Sequence, residues 1–144
     1  MRISTKGRYA LRMMLDLALH DSGEPVRVKD IAARQEISIK YLEQIVSLLV
    51  RAGYLKSVRG PQGGYRLVKP PKDYTLGSIL RLTEGSLAPV ECLEDEENEC
   101  SMAENCATLF FWKKLDAAIK GVVDQYTLED LLDWQQQSGD NYVI

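Results

Sequence analysis

The chain has 144 residues, 45% of them hydrophobic and 27% charged, with a formal net charge of −3. That is enough for one domain with a real core, and it excludes a disordered chain. No apolar run approaches the roughly 20 residues needed to span a bilayer, the basic start "MRISTKGRYA" carries no signal-peptide cleavage site, and three cysteines cannot close a disulfide framework, so a cytoplasmic protein with no membrane role is expected.

Charge divides along the chain. Residues 1–72 hold 14 Lys and Arg against 6 Asp and Glu, a net of +8, while residues 73–144 hold 4 against 15, a net of −11. A basic unit over 1–72 that binds a polyanion, joined to an acidic unit over 73–144 that must avoid it, is the expected organisation.

In chain order, Ser4 is an N-cap for "KGRYALRMMLDLALH", a helix with an apolar stripe at Leu11, Met14, Leu15 and Ala18 and with Arg8 and Arg12 on its polar face. Asp21, Ser22, Gly23 and Pro25 end it. "VRVKDIAARQ" predicts a short extended piece and a short helix, "EIS" a tight turn. Ser38 caps "IKYLEQIVSLLVRA", which stops at Gly53. In that helix Leu42, Ile45, Val46 and Leu49 recur at core spacing, opposite Lys40, Glu43, Gln44, Ser47 and Arg51. Two short helices joined by a tight turn form a helix-turn-helix. "YLKSVRG" and "YRLVK" around "PQGG" predict a hairpin with Arg59 and Arg66 on it. Phosphate-binding glycine loops run from strand into helix, so this loop is not read as one. The fold class is therefore mostly α: a winged helix-turn-helix with a small β-hairpin wing.

"KPPKDY" reads as a linker, and Thr75 caps "LGSILRLTEG" with Leu76, Ile79 and Leu80 inward. The acidic loop "ECLEDEENECSMAENC" then holds all three cysteines at C-x7-C-x5-C, with Ser101 to Glu104 as a capping-box pattern. "ATLFFWKKLDAAIKGVVDQY" carries Phe111, Leu115, Ala118 and Val122, widened by Trp112, Ile119 and Val123. So much apolar face in so short a chain predicts a long C-terminal dimerisation helix. Thr127 and Asp130 box the start of "TLEDLLDW", and "QQQSGDNYVI" reads as a frayed tail.

The strings "STKGRYA", "YLEQ", "SVRGPQGGY", the three clustered cysteines and "TLEDL", in that order and reaching about residue 133, resemble the winged-helix regulators typified by IscR and CymR, with NsrR a more distant relative. The resemblance implies a homodimeric transcriptional regulator, a repressor of genes of iron–sulfur cluster assembly or cysteine metabolism, on a palindromic operator of double-stranded DNA. It places the helix that begins at Ser38 in the major groove and the wing in the minor groove. Ser38, Lys40, Tyr41, Glu43, Gln44, Arg51 and Arg59 are the DNA-binding candidates. Gln can pair bidentately with adenine, and Glu43 can accept from a cytosine amino group while penalising other bases.

The resemblance also makes Cys92, Cys100 and Cys106 ligands of an iron–sulfur cluster, [2Fe–2S] in preference to [4Fe–4S], that modulates DNA binding. The first cysteine spacing is about two residues longer than the family's. Leu109 stands where IscR-like members have a histidine, and Arg8 lies close to the NsrR-type aspartate position. The fourth ligand is thus open among Glu91, Glu94, Glu104, a small thiol or solvent. His20, the only histidine, reads as a helix C-terminal residue. The surrounding carboxylates should raise thiol pKa values, an effect that bound iron would reverse. A redox or zinc site, or no metal function, stays open. The tail is similar to that of CymR-type regulators, and the alternative function is a cluster-free cysteine-metabolism regulator whose Tyr142, Val143 and Ile144 dock into cysteine synthase. An ordinary frayed end is the other reading of that tail. No nucleophile–base pair is visible, so the chain does not read as an enzyme.

Overall fold

The computed structural model describes residues 2–95 and 107–142. Among these residues six α-helices and one hairpin follow in the order α1 Thr5–Leu19, α2 Val28–Gln35, α3 Ile39–Arg51, β1 Leu55–Val58, β2 Gly64–Leu67, α4 Leu76–Glu84, α5 Ala107–Val123 and α6 Leu128–Tyr142. No helix among the described residues is long and apolar enough to cross a membrane.

The central element is α1, which packs on α2, α3, α4, α6 and β2. Ser4 caps it, its hydroxyl accepting from Gly7 N–H at 3.0 Å. The buried face differs from the expected stripe. Ala10, Met13, Met14 and Leu17 are buried, whereas Leu11, Leu15 and Ala18 are only partly so. A helix enclosed on several sides has no single inward direction, so the stripe read for a one-sided helix is rotated. Gly7 faces α4 closely: a Cβ there would lie 3.0 Å from Ile3 Cγ2 and from Thr83 Oγ1. The same contact is closed by Glu84, whose carboxylate accepts from the Ser4 backbone N–H and, at 2.7 Å, from the Ser4 hydroxyl.

Asp16 is buried on α1, and its charge is answered by α2. Arg34 donates from Nε and from its second terminal nitrogen (2.7 Å to Oδ1), and Gln35 Nε2 donates to Oδ2 at 3.0 Å. The hydrogen bond to Asp16 raises the Arg34 pKa above its ordinary value, against the opposing effect of burial. A buried carboxylate without such partners would be strongly destabilising. The network therefore sets how the first helix of the helix-turn-helix sits on α1.

Glu36, in the left-handed conformation at φ 55°, turns the chain from α2 to α3, and Ser38 caps α3 by accepting from Tyr41 N–H at 3.1 Å. Leu42, Ile45, Val46 and Leu49 are all buried, as their spacing predicts. The hairpin pairs Leu55 with Leu67 through Val58 with Gly64, antiparallel. Val26 joins it as a third, single-residue rung, its N–H and carbonyl exchanging hydrogen bonds with Tyr65 at 2.9 and 2.8 Å.

The segment expected to be a plain linker instead carries a core residue. Tyr74 is fully buried. Its hydroxyl donates to the Tyr54 carbonyl at 2.8 Å and accepts from the N–H groups of Val68 and Lys69 at 2.9 and 3.2 Å. A buried phenol needs such partners, and here they tie the exit of the wing to the end of α3. Tyr74, Ile79 and Leu128 join one core with Met13, Leu42 and Ile45, so the hydrophobic cluster draws on both sides of residue 72.

Thr75 caps α4 by accepting from Ser78 N–H at 3.2 Å. Thr127 and Asp130 form the expected capping box: the Asp130 carboxylate accepts from Thr127 N–H at 2.8 Å, and the threonine hydroxyl accepts from Asp130 N–H at 3.4 Å. α6 continues through the stretch expected to fray, as far as Tyr142; its glutamine run is rich in helix-forming side chain.

Candidate nucleic-acid interface

Core burial of one side of α3 forces the other side outward. Lys40, Glu43, Gln44, Ser47 and Arg51 are all exposed, as is Ser38 at the cap. Tyr41 is half-buried, its ring edge-on to Tyr9 with centroids 5.6 Å apart, and the Arg12 guanidinium lies over the other tyrosine at 5.4 Å. The Tyr41 ring is thereby fixed by the core side.

The fold sorts the candidates into two groups. Glu43, Ser47 and Arg51 face the wing across a cleft of about 580 Å³, whose other walls include Arg27, Ser57, Gly64 and Tyr65. Lys40 and Gln44 do not line that cleft and stand on the open part of the helix surface. Arg59 is exposed just beyond β1, at the start of the wing tip. Within the tip, Gly63 N–H donates to Gly60 O at 2.9 Å. Gly64 is needed for packing: a Cβ there would fall 2.4 Å from the Val26 carbonyl oxygen.

Arg27 and Ser57 are cleft residues that the sequence reading did not single out. For Arg27 the only signal was the alternation of "VRVK", which places Arg27 on the opposite side from Val26 and Val28. Arg66, expected on the wing, is only half-exposed, and its Nε is buried with no partner among the described residues.

The proposed cluster ligands stand differently. Cys92 is half-buried in a short 3-10 turn, Glu91–Leu93. Cys100 and Cys106, the Ser101 to Glu104 capping box and Glu104 itself lie outside the described residues. The turn after Cys92 borders a cavity of about 180 Å³ shared by Leu93, Glu94, Arg81, Asp116 and Lys120. Leu109 is buried at the start of α5 and Arg8 is exposed on α1. His20 caps the end of α1, with Nδ1 2.8 Å from the Asp16 carbonyl oxygen, in keeping with its reading as a helix-terminal residue. Of the tail candidates, Tyr142 ends α6, and Val143 and Ile144 lie outside the described residues.

Comparison with known proteins agrees with this architecture. The family model described as Rrf2, iron-dependent transcriptional regulator, matches residues 3–134. The chain is 43% identical to the HTH-type transcriptional regulator CymR of Bacillus subtilis over 144 residues, 100% of this chain and 99% of that protein. It is 40% identical to the HTH-type transcriptional regulator IscR of Photobacterium profundum over 132 residues, 92% of this chain and 76% of that one. Among solved structures, the B. subtilis global cysteine regulator CymR superposes with a TM-score of 0.78 at 44% identity, covering 93% of this chain and 98% of that one. T. potens IscR does so with a TM-score of 0.76 at 40% identity, covering 96% and 90%. The chain belongs to the Rrf2 family and is a winged-helix transcriptional regulator, not an enzyme.

Proposed function

We propose that the protein is a homodimeric repressor that reads a palindromic operator with the exposed face of α3 and the wing, residues 1–72 acting as the DNA-binding unit and residues 73–144 as the sensing and dimerising unit. The observation that carries this reading is the cleft between α3 and the wing. It sets Glu43, Ser47 and Arg51 opposite the hairpin that bears Arg59, within a half of the chain whose net charge is +8. Ser38, Lys40, Tyr41 and Gln44 supply the remaining polar surface of the helix. Lys and Arg contacts position the duplex through phosphates, while Gln44 and Glu43 discriminate base edges. Binding of wild-type protein to its selected duplex should weaken steeply with salt, because each phosphate contact releases counterions; salt-independent binding overturns the reading.

Dimerisation is supported by α5. Phe111, Ala118 and Val122 are exposed, and Ala118 and Val122 line an entirely apolar groove of about 400 Å³ together with Ile3, Leu80, Leu87 and Ile119. Such a surface is what a second copy would cover.

For the sensing unit, Cys92, Cys100 and Cys106 are assigned as ligands of an iron–sulfur cluster, [2Fe–2S] in preference to [4Fe–4S]. The donor chemistry fits: thiolates are the ordinary protein ligands of such clusters, and Cys92 is partly exposed beside the carboxylates of Glu91, Glu94 and Asp95. Leu109 is buried and has no donor atom, so the fourth ligand is not a histidine at that place. When bound, the cluster supplies redox and iron sensitivity; the chain's part is to couple the Cys92 turn to α4 and α5 through the residues that border the same small cavity. Anaerobic purification with iron and sulfide analysis tests this: protein that carries neither, even after reconstitution, removes the cluster.

One observation favours a second reading. The match to CymR runs through all 144 residues, whereas the match to IscR covers 132. In that reading there is no cluster, and Tyr142, Val143 and Ile144 dock into cysteine synthase. Removing these three residues should then abolish complex formation with that enzyme and leave DNA binding unchanged.

A further inference from the structure

We propose that Arg27 is a positioning residue that latches the wing tip for DNA recognition, an inference that rests on the DNA-binding reading above. Arg27 occupies the N-cap of α2, with extended backbone at φ −81° and ψ 141°, and its side chain makes no capping hydrogen bond. Ser, Thr, Asp or Asn at that position would accept from the first turn, so this chain forgoes that stabilisation. Only its carbonyl serves α2, accepting from Asp30 and Ile31 N–H at 3.1 and 3.2 Å. The guanidinium instead crosses to the hairpin and donates to the carbonyl of Pro61, 34 positions later.

Pro61 lies in the middle of the wing tip, inside the turn closed by Gly63 N–H and Gly60 O. The bond from Arg27 is the only side-chain hydrogen bond to residues 59–63 among the described residues. Beneath it, Val26 and Tyr65 exchange backbone hydrogen bonds, and Gly64 permits their close approach. The extended pair Val26–Arg27 therefore holds the wing at two heights: backbone at the base, guanidinium at the tip. A loop containing Gly60, Gly63 and Gly64 loses much conformational freedom when it enters a groove. A tie already present in the free protein lowers that loss, which appears as affinity. The residue that gains is Arg59, which opens the loop that Arg27 restrains. The guanidinium also walls the cleft with Glu43 and Arg51, so a direct phosphate contact by Arg27 is the competing role that the test must separate.

The experiment uses full-length protein and a duplex selected by the wild type from a random-sequence pool, with affinity read by fluorescence anisotropy at several salt concentrations. Arg27→Ala should weaken binding about tenfold, the effect of one lost charge-assisted hydrogen bond, with an unchanged salt slope. In an Arg59→Ala background the same change should cost less than about twofold, because the latch acts through Arg59. In the absence of DNA, amide exchange over residues 59–63 should speed up while the thermal midpoint stays in place. Arg27→Met, which keeps the aliphatic stem and removes the donors, should behave as Arg27→Ala does. Wild-type affinity for Arg27→Ala overturns the latch. So do losses that multiply in the double variant with a salt slope reduced by about one, which make Arg27 a separate phosphate contact. Wild-type affinity for Arg59→Ala overturns the wing reading itself, and the latch with it.

Discussion

Helices α3 and α5 both carry apolar residues at helical spacing, yet α3 hides Leu42 and Ile45 completely, whereas α5 leaves Phe111 at 60% and Val122 at 56% exposure. α3 lies between α1, α2 and the hairpin, which close over its apolar stripe. α5 packs chiefly on α4, and of its residues only Leu109 and Asp116 are buried. Period tells which residues share a face; it does not tell whether the same chain supplies the surface that covers them. In α3 the outward face is polar and exposed, and it is the face proposed above to meet DNA. In α5 the exposed side includes the large apolar residues Phe110, Phe111 and Val122, the surface proposed above to meet a second copy.

That contrast can be broken most directly from the α3 side. Leu42→Ala removes a fully buried side chain and should cost about 3 kcal/mol of stability in urea unfolding. On α5 the corresponding change should do little to the fold and much to assembly. Leu115→Asp together with Val122→Asp should yield monomers by sedimentation and lower operator affinity more than about a hundredfold, since each half-site needs its own recognition helix. If that protein instead unfolds, or remains a dimer, the two helices differ less than proposed. Arg59→Ala should weaken operator binding by about twentyfold without changing the thermal midpoint, as expected of a charged contact at an exposed tip. Glu43→Ala should alter affinity by less than about threefold but relax base preference at one position of the selected site.

The smallest expected effect concerns the seam between α1 and α4. Burial acts to raise the pKa of Glu84, but hydrogen bonds from the Ser4 backbone and hydroxyl and from Thr83, with the charge of Lys6, outweigh it and the net shift is downward. A carboxyl whose folded pKa is depressed contributes stability above its unfolded pKa and loses it as pH falls through the folded value. Glu84→Gln should therefore cost less than about 1 kcal/mol at neutral pH, and the difference from wild type should shrink as acid protonates the wild-type side chain. A pH-independent difference in thermal midpoint would assign the effect to packing alone.

Much of this molecule is legible in its sequence. Ser4, Ser38, Thr75 and the Thr127–Asp130 box cap the helices they were expected to cap. The hairpin falls where the glycines and the flanking strand-formers put it. These features depend on neighbours within a few residues, and short-range hydrogen bonding is written in short strings. The exposed residues of α3 followed from the same local logic, because a helix with one apolar face must present the other.

What the sequence could not display depends on residues far apart in the chain. The buried arc of α1 is set by the number of elements packed around it. Asp16, an unremarkable charge in "LDLA", becomes tolerable inside only because Arg34 and Gln35 arrive from α2. Tyr74, in a stretch that reads as a linker, is fully buried because Tyr54, Val68 and Lys69 come round to satisfy its hydroxyl. Arg27 meets Pro61 only once Val26 has paired with Tyr65. Sequence by itself determined most of the elements, their caps, the charge division and the family, but not the run of α6 as far as Tyr142. The tertiary structure decided which apolar faces are covered and which polar groups find partners, because burial and hydrogen-bond satisfaction across the chain belong to pairs of surfaces and not to either segment alone.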